Sequence, residues 1–397
     1  MIDAKPTAAP APRLWPGLVA MTALQALVSL ALFAPGTVAP RAGLSVEELS
    51  LFSTAAFAVS LVSSFWGGTL VQKVGSLRVA ALCAVAVCAG MSLATLGNGW
   101  ALLGAGLVLG LAAGPETPAS SALLGRLVSP EKRAMVFSIR QTGSQIGAII
   151  GSLLLPPLAV GLAPSSAYAA VIACAVIGFI SFERLRPAYA VKIPAIPNLG
   201  LRQRLQLVSS DPRMASLAVA SIPFSGMQVI LNTCFVSFGT SELALSHVEA
   251  GWVLASAQGA GLMGRLGWGV VATRLRSARA VLVMAGVGMA VCALLLGLWG
   301  ALLSWPILLL LAFLFGLTAS GWNGVFIAEI ANLAKPGRVA ESTGAVLTVS
   351  FIGLVAAPPL VAVLTPRVGL GGSFVALGLT AAAGAAVLLM ERSHARN

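Results

Sequence analysis

Charge is what this sequence has least of. Only 9% of its 397 residues are Asp, Glu, Lys or Arg, whereas 58% are hydrophobic. An ordinary globular domain is roughly one-quarter charged, and a water-facing surface cannot be built from so little. A soluble chain of two or three domains, the usual expectation at this length, is excluded, and hydrocarbon must solvate most of the exterior. Histidine is almost missing. His247 and His394 lie near the ends of apolar runs, which leaves none for catalysis inside a bilayer. The five cysteines (Cys83, Cys88, Cys174, Cys234 and Cys292) fall within apolar runs and show no metal or redox spacing. They read as small buried apolar residues. The sequence has no Gly-rich phosphate loop closing in Lys-Ser/Thr, no His-Glu-x-x-His motif and no Cys cluster. No metal and no cofactor are expected. Without a nucleophile–base pair, the chain is not read as an enzyme.

Long apolar stretches are what the sequence has in abundance. After a polar, proline-rich start, the first runs from about Trp15 to Ala39. It is too long for a signal-peptide core and lacks a convincing cleavage site. Others follow near 47–71, 77–97, 100–126, 134–160 and 165–183. Beyond a polar segment they resume near 214–240, 247–272, 278–298, 305–333, 341–366 and 370–390. Each can cross a hydrocarbon core of about 30 Å at about 1.5 Å per residue. The expected fold class is therefore an all-α membrane protein of twelve transmembrane helices. Most glycines and prolines lie inside these runs, where neighbouring helices re-satisfy the backbone. The expected units are a tail at 1–14, a six-helix bundle at 15–186, a linker at 187–212, a second six-helix bundle at 213–390 and a tail at 391–397.

A net charge of +12 would suggest nucleic acid in a soluble protein, but its distribution gives a different reason. Lys73, Arg78, Arg126, Lys132, Arg133, Arg274, Arg276, Arg279, Lys335 and Arg338 fall in alternate loops, as do the basic residues of both termini and of segment 184–213. The opposite loops hold only Arg41 and Arg367, with Glu47, Glu48, Glu242 and Glu249. By the positive-inside rule, both termini and the linker face the cytoplasm. The basic linker is expected to lie near anionic headgroups, with no nucleic-acid partner. A bacterial inner membrane is the expected location, and a monomer the expected state.

The chain also repeats itself. Gly68 and Gly269, Lys73 and Arg274, Ser76 and Ser277, and Arg78 and Arg279 are each 201 residues apart. Gly151 with Pro156-Pro157-Leu158 matches Gly353 with Pro358-Pro359-Leu360 at 202. Two distant sets of matches whose offsets differ by a single residue imply two parallel six-helix halves related by an axis along the membrane normal.

On these residues the sequence resembles the major facilitator superfamily. That family carries a Gly-x-Leu-x-Asp-Arg-x-Gly-Arg-Arg signature between spans 2 and 3 and a weaker copy between spans 8 and 9. Gly68, Leu70, Lys73, Gly75 and Arg78 keep the first copy; Gly269 and Arg274 keep the second. The resemblance implies alternating access with a gating role for this loop. Gln72 and Thr273 stand where the family has the carboxylate that helps lock the cytoplasmic side. Arg140-Gln141-Thr142-Gly143 with Pro156-Pro157, and Gly321-Trp322-Asn323-Gly324 with Glu329, resemble a bacterial branch near the cyanate-permease and organic-anion transporters.

Charge inside a bilayer is costly and usually functional. Glu116, between Pro115 and Pro118, precedes Arg126 by ten residues, roughly 15 Å into span 4. Arg140 follows Arg133 by seven, roughly 10 Å into span 5. Both spans line the pathway in the resembling family, so the two can meet. The functional reading is an anion site on Arg140, neutralised by Glu116 until substrate or a proton breaks the pair; the alternative is a permanent structural ion pair. Glu329 suits either proton coupling or an interfacial pair with Lys335. Arg265 is read as structural, snorkelling to the cytoplasmic interface. Gln25, Gln141, Gln228 and Asn232, with Ser144, Gln145 and Gln258, are costly in lipid and are expected to face a central cavity or to bond between helices. Asn323 and Trp322 are expected to complete the substrate wall, with packing as the alternative for Trp322. Gly143, Gly147 and Gly151 on span 5 permit close helix approach.

The expected function is a secondary transporter of a small organic or inorganic anion, proton-coupled (a symporter) or facilitative. The alternative is a proton-coupled exporter of drugs or amphiphilic metabolites, with Glu116 as the proton carrier. The Gly-Pro-x-x-Gly-Gly pattern that drug–proton antiporters carry in span 5 is absent, which favours the anion carrier. A third reading, a non-transporting sensor on the same scaffold, would need a soluble appendage that the sequence does not show.

Overall fold

A chain in hydrocarbon must satisfy its backbone within each segment, and the α-helix is the element that does so. A computed structural model describes residues 13–128, 132–189, 200–335 and 338–394. The first half contributes α1 (Leu14–Ala42), α2 (Val46–Val74), α3 (Ser76–Ala94), α4 (Gly99–Leu127), α5 (Arg133–Gly161) and α6 (Pro164–Leu185). A short α7 (Leu201–Ser209) follows. The second half contributes α8 (Pro212–Ser241), α9 (His247–Leu275), α10 (Ala278–Trp299), α11 (Trp305–Ala319), α12 (Asn323–Leu333) and α13 (Val339–His394).

Twelve passes emerge from these helices. Ten helical stretches among the described residues are long and apolar enough to cross a bilayer. One of them, within α13, crosses twice: Gly369 has φ 72° and reverses the chain. Ser350 bonds Ser221 of α8 at 2.6 Å, while Gly384 packs on Ala220 and Pro223, so both arms of the hairpin meet α8 at one level. Glu242, at the end of α8, accepts from the amides of Leu370 and Gly371 and so caps the second arm. The remaining pass is α9, whose apolar run is interrupted by Gln258, Arg265 and glycines. The tenth pass is broken, with α11 ending at Ala319 and α12 beginning at Asn323. The linker expected at 187–212 contains α7, which hydropathy alone did not reveal. The linker's Lys192, and all of the tails except residues 13, 14 and 391–394, lie outside the described residues.

Each half has its own apolar core, one within α1–α6 and one drawn mainly from α8–α13. Their likeness extends to backbone detail. Ser45 and Glu48 form a capping box at the start of α2, and Ser246 and Glu249 repeat it on α9. Gly43 (φ 68°) corresponds to Ala244 (φ 55°), and Gly75 (φ 86°) to Arg276 (φ 52°). All four pairs are 201 residues apart. Ala244 and Arg276 are the two non-glycine residues with positive φ among the described residues, and each keeps a turn that its glycine counterpart adopts freely.

The halves touch most closely at the face bearing the acidic loops. Ser50 donates to the Pro358 carbonyl at 2.8 Å, and His247 Nε2 meets the Thr37 carbonyl. Gly36 lies against the Thr233 backbone, and Gly251 against that of Ser152. From the basic face a cleft of about 620 Å³ enters between α5, α9, α10 and α12, lined by Ser138, Arg265, Thr273, Arg276 and Glu329 among others.

Candidate functional site

The first half positions its charged pair by packing helices too closely for side chains to intervene. Gly106, Gly110 and Gly114 of α4 face the Phe52, Ala56 and Ser60 carbonyls of α2, where an added Cβ would stand 2.5–2.6 Å from each oxygen. Gly143 and Gly147 of α5 abut the Thr22 and Ala26 carbonyls of α1 in the same way, and Gly151 meets Leu30. Glu116 and Arg140, carried inward on these two helices, are 5% and 2% exposed. The structure brings them together: an Arg140 terminal nitrogen donates to Glu116 Oε1. Ser120 donates to Glu116 Oε1 at 3.3 Å and Thr117 to Oε2 at 3.1 Å. Arg140 also donates to Gln141 Oε1 at 3.3 Å, which accepts from Gln25 Nε2 at 2.7 Å. One network thus joins α4, α5 and α1.

The second half presents amides. Gln258 donates to Asn232 Oδ1 at 2.8 Å, and Asn232 donates to the Gln228 carbonyl at 2.7 Å. Asn323 donates to Gln228 Oε1 at 3.1 Å, so the break in the tenth pass delivers Asn323 to this group. The same break leaves carbonyls at the end of α11 without helical partners. Trp268 donates to that of Leu317 at 2.9 Å, and Arg265 Nε to that of Ser320 at 3.2 Å. Arg265 does not snorkel outward as expected. A terminal nitrogen of its guanidinium reaches across to the Gln141 carbonyl at 2.9 Å, because the break after α11 offers it the Ser320 carbonyl and α9 packs beside the α5 backbone.

Other expected residues are placed differently. Trp322 is 1% exposed and packs edge-on between Phe224 and Phe326, at 5.5 and 4.9 Å between centroids. It lies in the apolar core of the second half. Glu329 lines the cleft, close enough for its charge to act on Arg279, and among the described residues it forms no ion pair with Lys335. The loop expected after α2 is a turn at Gly75 alone: Gly68, half-buried, and Lys73, exposed, lie on the last two turns of α2. Arg78 bonds Glu183 of α6 at 2.8 Å, within its own half. Gly269 and Arg274 are exposed on α9. Sequence reasoning missed the partnership of Gln145 and Ser320 beside Arg265; Gln145 follows Gln141 by one helical turn, which was the available signal.

A sequence model of the Major Facilitator Superfamily matches the chain over residues 17–277 and again over 217–397. The chain belongs to this superfamily. It is accordingly a multi-pass membrane transporter rather than an enzyme. Solved transporter structures share its architecture at low identity. A mutant of the peptide transporter POT is 16% identical, covering 95% of this chain and 94% of its own, with a TM-score of 0.75. A mutant of the nucleoside transporter NupG is 14% identical, with coverage of 94% and 98% and a TM-score of 0.74. A bacterial homologue of the human lysosomal transporter Spinster, inward-facing and unoccupied, is 14% identical, with coverage of 94% and 96% and a TM-score of 0.74. These three show the superfamily fold and do not single out the cyanate and organic-anion branch. Comparison with curated proteins gives no match.

Proposed function

We propose that this transporter is a secondary carrier of a small anion, working by alternating access in a bacterial inner membrane with both termini cytoplasmic. The observation that carries the reading is the buried Glu116–Arg140 pair, joined to the Gln141 and Gln25 amides of the first half. A pair that only stabilised the fold would be a poor choice, since apolar residues of similar volume usually serve as well. A pair that must open suits a carrier: a proton on Glu116 removes its charge and frees the Arg140 guanidinium for an anion. Gln25, Gln141, Gln228, Asn232 and Asn323 supply the neutral donors and acceptors around that anion, and Trp322 backs Asn323 from the core. Glu329, in the cleft on the basic side, is the second proton-coupling candidate. Gly68, Lys73, Gly75, Arg78, Gly269 and Arg274, at the helix ends around the α2–α3 and α9–α10 turns, are the gating residues. The single chain, which carries both halves and the cleft between them, acts as a monomer.

The experiment is uptake into proteoliposomes of labelled carboxylates and inorganic anions, with and without an imposed pH gradient. Arg140→Ala is expected to abolish uptake of any anion that the wild type carries. Glu116→Gln is expected to leave exchange intact while removing the response to the gradient. Unchanged uptake by Arg140→Ala would sink the reading.

A further inference from the structure

Two guanidinium groups reach the middle of this molecule, and only one has a counter-charge. Arg140 is paired with Glu116. Arg265 has no carboxylate within ion-pair distance among the described residues. Its donors go to the carbonyls of Ser320 and Gln141, dipoles that solvate a cation without cancelling its charge. One turn deeper on α9, at Gly261, the Gln145 amide and the Ser320 side chain close over the helix, and an added Cβ would overlap both. Gln145 is 2% exposed and Ser320 fully buried, yet Gln145 Nε2 and Ser320 Oγ have no hydrogen-bond partner. Such orphans are rare in native proteins and call for a reason. Here two of them adjoin an uncompensated cation that lines the cleft.

We propose that Arg265, Gln145 and Ser320 form an oxyanion subsite that seats the carboxylate of a small organic acid while Arg140 is still held by Glu116. The proposal rests on the anion reading above and names the group that meets the substrate first. A carboxylate fits because the guanidinium fork is matched by its two oxygens. Its remaining lone pairs accept from the amide and the hydroxyl. The subsite is shared between the halves, with Gln145 from α5 and the other two residues from α9 and the end of α11. A carboxylate that draws the guanidinium toward itself competes with the Gln141 carbonyl, which is a bond between the halves. Seating the substrate therefore loosens a contact that rocking must break.

The test is the melting midpoint of the purified full chain in detergent, titrated with acetate, oxalate, benzoate and sulfate. Acetamide, oxamide and benzamide serve as uncharged controls. A ligand that binds only the folded state raises the midpoint, and the growth of that rise with concentration reports its dissociation constant. The wild type is expected to respond to at least one carboxylate and to none of the amides. Arg265→Gln is expected to weaken that carboxylate about tenfold or more. Arg265→Lys is expected to fall between the two, because it keeps the charge and loses the fork. Ser320→Ala and Gln145→Met, which leave the charges untouched, are expected to weaken it several-fold and give a reading if Arg265→Gln does not fold. Equal carboxylate affinity in the wild type and all of these variants, with loss only in Arg140→Ala, overturns the subsite and leaves the anion reading standing. Stabilisation by sulfate alone overturns the carboxylate assignment. A wild type that responds to no anion overturns the anion reading and the subsite together.

Discussion

Glu116 and Arg140 show how much a buried charge demands of its neighbours. Removing one partner strands the other in a buried site, which costs about 3–5 kcal/mol in buried pairs of this kind. Glu116→Ala and Arg140→Ala are each expected to lower the melting midpoint in detergent sharply. The double variant Glu116→Gln with Arg140→Gln is expected to recover most of the loss, because no net charge is stranded; a double variant as unstable as the sum of its parts would contradict this. Both residues were legible in the sequence because depth can be counted along a helix from the nearest basic loop. Counting gives the depth of a Cα and not the direction of a side chain. Arg265, at similar depth on α9, turns inward to the Ser320 and Gln141 carbonyls, and only the break after α11 explains why. Trp322 failed to announce its place for the same reason: its position within the tenth pass and Phe326 one turn on are visible, whereas its other ring neighbour, Phe224, comes from α8.

At the scale of elements, helix spacing depends on glycine. The stripe on α5 was legible from its four-residue period, and the structure sets it against the α1 backbone. The equivalent stripe on α4 has the same period and packs on α2, and it holds Glu116 at its depth. Gly147→Leu is expected to prevent the α1–α5 contact and to reduce folded yield from the membrane, since its Cβ alone would overlap the Ala26 carbonyl. The turns carry the opposite lesson. Ala244, exposed at φ 55°, occupies a conformation that costs an L-residue about 1–2 kcal/mol. Ala244→Gly, restoring what Gly43 has in the first half, is expected to raise the melting midpoint, with the added unfolded-state freedom of glycine offsetting part of the gain. The positions of the passes could be read from hydropathy because lipid imposes their length. The interruption at 320–322 and the nine-residue α7 could not, because neither changes the hydropathy of a span-length window.

Across the whole molecule, the halves close over the acidic face and admit a cleft from the basic one. A cysteine placed at Thr273, which lines that cleft, is expected to react with a membrane-impermeant maleimide in inverted vesicles. A cysteine at Ser50, buried against Pro358, is expected to be protected from the opposite side. The reverse pattern would place the opening on the other face. The two-fold plan was legible at this scale because distant matched motifs kept offsets within one residue of each other. The state that the transporter adopts was not, because one sequence must encode every state of the cycle.

The connection between the halves also has a mechanical role. Arg204, on α7, stacks on the Phe65 ring of α2 at 4.6 Å from its centroid and donates to Thr348 Oγ1 of α13 at 3.1 Å. One side chain of the tether thus grips a leaf on each side of the hinge. Any motion that parts those two helices must first loosen a finger of the strap that ties them, so the covalent link and the moving joint cannot be altered independently.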